Sequence, residues 1–132
     1  MIDHISLSVS DLGKSAEFYE KVLEPLGLKR MVVREETIGF GKKYPEFWIN
    51  ARANLAPAPD NTGNHVSLRA PTKEAVSSFH EMALSQGGRS DGKPGQRQAA
   101  LTPCFCAFIR DLDGNKVEAI TFPREEQKST VQ

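Results

Sequence analysis

Three side chains in this sequence have the types needed to hold a metal ion together: His4, His65 and Glu118. Two imidazoles and a carboxylate each offer a lone pair to Fe(II), Mn(II), Ni(II), Co(II) or Zn(II). A three-ligand set also leaves coordination positions open for water or substrate, which is the arrangement of a catalytic rather than a structural metal. The histidines occupy equivalent places in a repeat. One constant shift carries His4 onto His65, Ser6 onto Ser67, Leu7 onto Leu68, Phe18 onto Phe79, Glu20 onto Glu81, Leu23 onto Leu84 and Gly27 onto Gly88, with no gap. A supersecondary unit that cannot bury its own apolar face is covered by a second copy. Two such copies can bring their histidines toward each other across a pseudo-twofold axis.

The elements that must position these groups follow from hydrophobic periodicity. Residues 2–10 alternate, with Ile5, Leu7 and Val9 on one face and His4, Ser6, Ser8 and Ser10 on the other, as in a strand buried on one side. Asp11 is an N-cap candidate, and Ala16, Phe18, Tyr19, Val22, Leu23 and Leu26 form a helical apolar stripe closed by Pro25 and Gly27. Strand-like pieces at 29–35, 37–41 and 46–51 complete a βαβββ module over about residues 1–55. Residues 56–63 are rich in turn formers and read as a linker.

The second module, about 64–122, repeats the order. A strand at 64–70 sets His65 and Ser67 opposite Val66 and Leu68. Thr72 takes the N-cap place before a stripe of Ala75, Val76, Phe79, Met82 and Ala83 that stops at Gly87 and Gly88. Residues 89–102 read as a polar loop with room for a short strand, 103–110 as a strand, and Asp111-Leu112-Asp113-Gly114-Asn115 as a hairpin turn into a last strand at 116–122. Alternation there puts Glu118 with Lys116 and Ile120, away from Val117 and Ala119. The expected architecture is α+β: one domain over 1–122, made of two βαβββ modules forming a cupped mixed sheet around a central cleft, with the helices outside. The polar strand faces would line the cleft. His80, one residue after Phe79, reads as a partly exposed helix residue. Residues 123–132 read as a polar tail.

Composition narrows the partners. Seventeen basic and seventeen acidic side chains cancel in the 132 residues, so no net field draws the chain to nucleic acid or to an anionic membrane. The apolar runs are far shorter than the roughly 20 residues of a membrane helix, and Asp3 and His4 interrupt the apolar start that a signal peptide would need. A small-molecule partner and a cytoplasmic location are expected. Cys104 and Cys106 point to one face of a strand with Cα atoms about 7 Å apart, unfavourable for a disulfide, so they are expected as reduced, packed thiols.

The carrying segments Asp3-His4-Ile5-Ser6-Leu7, Ser10-Asp11-Leu12, Phe18-Tyr19, Asn64-His65-Val66 and Arg110-Asp111-Leu112-Asp113-Gly114-Asn115-Lys116-Val117-Glu118-Ala119 resemble the glyoxalase, bleomycin-resistance and extradiol-dioxygenase (vicinal oxygen chelate) superfamily. The Gly39-Phe40-Gly41, Phe47-Trp48-Ile49 and Asp91-Gly92-Lys93-Pro94-Gly95-Gln96-Arg97 segments are similar to a subset of bacterial glyoxalase-like proteins. The resemblance implies the fold of that group, one divalent metal on His4, His65 and Glu118, and a homodimer. It also implies a catalytic role for Glu118, since ligand carboxylates in the superfamily sometimes release the metal to take a proton.

Some members carry a fourth ligand on the last strand of the first module, where the place symmetric to Glu118 falls near Trp48. An indole cannot ligate a metal, so a three-ligand pattern is expected, with Trp48 either a pocket wall or part of the core. Glu46 and Tyr44 are the alternatives for a general base, and Arg97 and Phe105 are further pocket candidates. The function implied is a metalloprotein acting on a small oxygen-chelating substrate as a lyase, thiol transferase or dioxygenase. The alternative is a metal-free protein that sequesters a small molecule, as bleomycin-binding relatives do.

Overall fold

The computed structural model describes residues 1–123, so the expected polar tail lies outside the described residues except for Pro123. The element order is β1 (Ile5–Val9), α1 (Leu12–Val22), β2 (Lys29–Val33), β3 (Thr37–Gly41), β4 (Pro45–Ala51), β5 (His65–Arg69), α2 (Lys73–Ser85), β6 (Arg89–Gln98), β7 (Pro103–Arg110) and β8 (Lys116–Thr121). These make two four-stranded mixed sheets, ordered β1-β4-β3-β2 and β5-β8-β7-β6. In each, the first strand runs parallel to the last and the other pairings are antiparallel. The expected α+β pair of βαβββ modules is the observed fold. Among the described residues no helix is long and apolar enough to cross a membrane.

The helices start where short polar side chains can take up orphan backbone donors. Asp11 Oδ1 accepts from the Lys14 amide at 3.0 Å, and Thr72 Oγ1 accepts from the Ala75 amide at 3.1 Å. Each helix lays its apolar stripe on its own sheet. Phe18, Tyr19 and Val22 pack with Phe40, Phe47 and Ile49, and Val76, Phe79 and Ala83 with Ile109, Val117 and Ala119, all buried. Full burial of side chains of this size stabilises by roughly 1.5–3 kcal/mol each. The faces left outside this core are those that carry His65, Ser67 and Glu118, and Ser6 and Trp48.

Sequence and structure differ at β6. Residues 89–98 lack apolar alternation and hold Asp91-Gly92 and Pro94-Gly95, which reads as loop, yet they form a ten-residue strand on β7. Register shifts between Ser90 and Gly92 and between Gly92 and Gly95 absorb the turn formers as bulges, and the strand sits at the sheet edge, where Pro94 costs no ladder bond on its open side. Strand β1 begins at Ile5, so His4 immediately precedes it.

The two modules are joined by a buried polar junction. The hairpin turn 111–115 sits against module 1: Tyr19 Oη donates to Asp111 Oδ2 at 2.5 Å, the Ser10 amide donates to both Asp113 oxygens at 3.1 Å, and Asn115 Nδ2 donates to the Ser8 carbonyl at 2.9 Å. Asp111 is 3% exposed and also accepts from the amides of Asp113 and Asn115 at 2.9 Å. Burial pushes its carboxyl above the usual range, while Tyr19 and the Asn115 and Asp113 donors pull it back. The close approach of the modules also requires Gly88, where a Cβ would lie 2.8 Å from the Arg110 carbonyl and 2.9 Å from the Phe18 ring.

Tyr19→Phe removes one donor from this buried carboxylate and leaves the packing intact. We expect a loss of about 2 kcal/mol in urea unfolding, within the range for hydrogen bonds to charged groups. An unchanged midpoint would show that the Tyr19–Asp111 bond contributes nothing.

Candidate functional site

In the second sheet the alternation of β5 and β8 brings together the groups expected to do chemistry. His65 pairs with Lys116 and Ser67 with Glu118. Glu118 is 7% exposed, and its Oε1 lies 3.3 Å from Nε2 of the half-exposed His65. The other ring nitrogen of His65, Nδ1, lies 3.0 Å from the Gly63 carbonyl. A carbonyl only accepts, so Nδ1 carries the hydrogen, and in the neutral ring Nε2 presents its lone pair to the carboxylate. Two acceptors facing each other at that distance repel unless a proton or a cation lies between them. The donor set and its tautomer therefore fit a metal ion, in the pattern where the remote ring nitrogen is fixed by a backbone acceptor.

His4 shows the same preparation. Its Nδ1 is 2.6 Å from Asp3 Oδ1, which leaves Nε2 available. The described chain does not set His4 beside the other two. The turn 111–115 binds the end of β1 through Ser8 and Ser10 and then leads into Lys116, the partner of His65 at the start of β5. Strands β1 and β5 thus run in opposite directions, and a twofold axis between antiparallel strands places equivalent residues at opposite ends. His4, Tyr44 and Glu46 line, along β5 from His65 to Leu68, a cavity of about 530 Å³. Among the described residues no group of three or more His, Cys, Asp and Glu side chains is assembled to hold a metal.

Around the His65–Glu118 pair the structure adds residues that sequence reasoning missed. Phe108 stands opposite Glu118 in the β7–β8 ladder, and its ring meets the His65 ring edge to face at 5.3 Å. Lys116 Nζ lies 4.8 Å and the Arg97 guanidinium 5.6 Å from the Phe108 ring centroid. Counting alternation back from the turn through Arg110 would have put Phe108 on this face. The same count removes Phe105, expected in the pocket, to the opposite face, where it packs against the core with Lys73 5.8 Å from its ring centroid.

Arg97, also expected in the pocket, is on the site's side, but its guanidinium is taken up by the carbonyls of Cys106 at 2.5 Å and Lys93 at 2.7 Å. Both cysteines are free and buried, as expected. Cys106 Sγ accepts from Arg97 Nη1 at 3.2 Å. Burial raises its thiol pKa, Arg97 lowers it and Glu118 raises it, to about 11 in all, so it is a protonated donor at neutral pH.

In the first sheet Trp48 occupies the register place of Glu118: Ser6 pairs with Trp48 as Ser67 pairs with Glu118. Its ring lies across Gly39, where a Cβ would be 2.9 Å from the indole, and the Arg34 guanidinium is 5.7 Å from the ring centroid. Trp48 therefore walls the face that its symmetry mate uses for a carboxylate. Glu46 lies two residues before it, beside the half-exposed Tyr44, whose hydroxyl donates to the Asp3 carbonyl at 3.4 Å. His80, on α2 away from this site, has its Nε2 2.8 Å from Ser90 Oγ, and burial lowers its pKa.

Comparison with known proteins gives concordant results. The family model described as the Glyoxalase/Bleomycin resistance protein/Dioxygenase superfamily matches residues 1–119. The solved structure of a glyoxalase/bleomycin resistance protein from Albidiferax ferrireducens T118 has a TM-score of 0.79 at 29% identity, covering 89% of this chain and 96% of that one. The Salmonella typhimurium virulence protein STM3117 is 27% identical over 125 residues, covering 89% of this chain and 81% of that protein. Lactoylglutathione lyase GLX1 of Arabidopsis thaliana is 26% identical over 122 residues. That match covers 89% of this chain, which spans 42% of the length of that lyase.

The wall of the site also contains Asp91, whose carboxylate accepts from Arg110 Nε at 3.0 Å and Lys116 Nζ at 3.2 Å. Burial raises its pKa, but the hydrogen bonds and charges of Lys116 and Arg110 outweigh that and hold it below the ordinary value. A depressed carboxylate pKa stabilises the fold above the unfolded-state value, and this contribution is lost as pH falls through the folded-state value. Asp91→Asn should thus be less stable than the native chain in urea at about pH 7, with the difference narrowing as pH falls below the ordinary carboxylate range and closing below the folded-state value. A difference that persists at the acidic end would assign the loss to something other than charge.

Proposed function

Because the chain belongs to the Glyoxalase/Bleomycin resistance protein/Dioxygenase superfamily, we propose that it binds one divalent metal ion through His65, Glu118 and a His4 side chain and acts on a small oxygen-chelating substrate. The observation that carries this reading is the His65–Glu118 contact of 3.3 Å between an imidazole whose hydrogen is committed to Gly63 and a nearly buried carboxylate. The metal, when bound, supplies Lewis acidity toward two neighbouring substrate oxygens.

The chain's own residues prepare that chemistry. Gly63 and Phe108 fix the ring of His65, so its donor nitrogen does not have to be ordered when the ion arrives. Glu118 is the carboxylate in contact with His65, and it is the group we assign to hold the ion and to take a proton from substrate. Trp48 presents a flat apolar wall, which suits an unsaturated or aromatic substrate body.

His4 completes the set in a homodimer. Its side chain is 53% exposed, and the adjoining Met1 and Ile2 are 98% and 85% exposed, so the start of β1 is free to close over the second sheet of another copy. That pairing gives a His4 to each His65 and Glu118, which one chain alone does not.

Elemental analysis of protein prepared without a histidine tag should find close to one transition metal per chain, with affinity falling at least about tenfold in His65→Ala and Glu118→Ala. His4→Ala should weaken the metal as well while leaving the melting temperature of the metal-free protein unchanged. A native protein that takes up none of Fe(II), Mn(II), Ni(II), Co(II) or Zn(II) would overturn this reading in favour of metal-free sequestration against Trp48.

A further inference from the structure

The site face of the second sheet carries one more group that the metal reading does not use. Strand β5 places His65, Ser67 and Arg69 on one side, since Val66 and Leu68 alternate with them and Leu68 packs on the core. Arg69 pairs with Ile120, one step along the same ladder from Ser67 and Glu118. Its guanidinium lies 5.1 Å from the centroid of Phe122, which alternation puts on the Glu118 side of the chain leaving β8.

The other cations on this face are already occupied. Lys116 is paired with Asp91 at 3.2 Å, Arg97 is bound by backbone carbonyls, and the buried Arg110 is bound by Asp91 and by the carbonyls of Asp60, Thr62 and Gly114. Arg69 is exposed and, among the described residues, has no carboxylate or carbonyl partner. A guanidinium stacked on a ring keeps its five N–H donors in the plane of the fork, directed away from the ring face, in the geometry that receives an oxyanion through two bonds.

We propose that Arg69 is a substrate-binding residue, and that the substrate is an oxygen chelator which also carries a carboxylate or phosphate. The placement sets a length. Arg69 is two residues beyond Ser67, the partner of Glu118, so its Cα is about 6.6–7 Å further along the sheet. The anionic group is therefore separated from the chelating oxygens by roughly the width of an aromatic ring or a short chain. The inference rests on the metal reading for where the chelating end sits, and stands on Arg69 alone for the anionic end.

Two matched pairs of probes separate those parts. With metal added, catechol and 3,4-dihydroxybenzoate share the chelating oxygens and differ by the carboxylate. Without metal, benzamide and benzoate share the ring and differ in the group that would meet Arg69, a neutral amide against a carboxylate, and inorganic phosphate tests the tetrahedral oxyanion. In calorimetric titrations we expect the carboxylate member of each pair to bind at least about tenfold tighter to the native chain. Arg69→Ala should remove that advantage without changing catechol affinity or metal content. Arg69→Lys should keep part of it, and Arg52→Ala, which removes a positive charge elsewhere on the surface, should keep all of it. A native chain that does not distinguish benzoate from benzamide, or an advantage that survives Arg69→Ala, overturns the proposal. Absence of bound metal together with an Arg69-dependent preference for benzoate would overturn the metal reading and leave the anion site standing.

Discussion

The buried carboxylate of Asp111 is the constraint on which the site depends. It accepts from a tyrosine of module 1 and from the turn of module 2, so it fixes both the shape of the 111–115 turn and the way the two sheets meet. Its cost is desolvation; donors of its own turn, Asp113 and Asn115, offset part of that cost, and Tyr19 adds the donor from module 1. Tyr19, with which it is paired, is itself fully buried, and its pKa is pushed well above the usual value by burial and by the charge of Asp111. The junction therefore ties the two halves through Tyr19, Ser8 and Ser10.

The strands on either side of the turn inherit that geometry. The turn delivers Lys116 to His65 and, two residues on, Glu118 to Ser67. Arg110, just before the turn, is buried and tied to the linker carbonyls of Asp60 and Thr62, which holds the chain that ends in Gly63 and presents its carbonyl to His65. The tautomer of the candidate metal ligand is in this sense set by a turn and a linker. Asp91 then braces the same region from β6, and the bulges around Gly92 and Gly95 let that strand cross Phe108, where a Cβ on Gly92 would come within 3.0 Å of the ring.

The repeat made the fold legible. Strand alternation, the Asp11 and Thr72 caps and the Asp-Gly-Asn turn located both modules and placed Glu118 and Trp48 at symmetric register positions, as the ladders show. Three features were not legible, each for a physical reason. Strand β6 is held by pairing and bulges rather than by an apolar face, so periodicity has nothing to detect. Phe105 and Phe108 differ by an odd number of residues and so face opposite ways, and composition alone, without the alternation counted back from the turn, does not say which of them faces the site. Symmetry of sequence also says that His4 and His65 are equivalent without saying that they are near, because an axis between antiparallel strands separates equivalent ends.

The site turns on one tautomer of His65, with Nδ1 protonated and Nε2 turned as a lone pair to Glu118 to receive a metal. Nitrogen NMR of the imidazoles in metal-free protein, repeated after adding Zn(II), reads this directly. We predict a protonated Nδ1 and a bare Nε2 at a pH where the ring is neutral, with the Nε2 resonance shifting on metal addition and the shift lost in Glu118→Ala. A ring with its hydrogen on Nε2, donating to Glu118 and indifferent to Zn(II), would contradict this tautomer and make the pair an ordinary hydrogen bond.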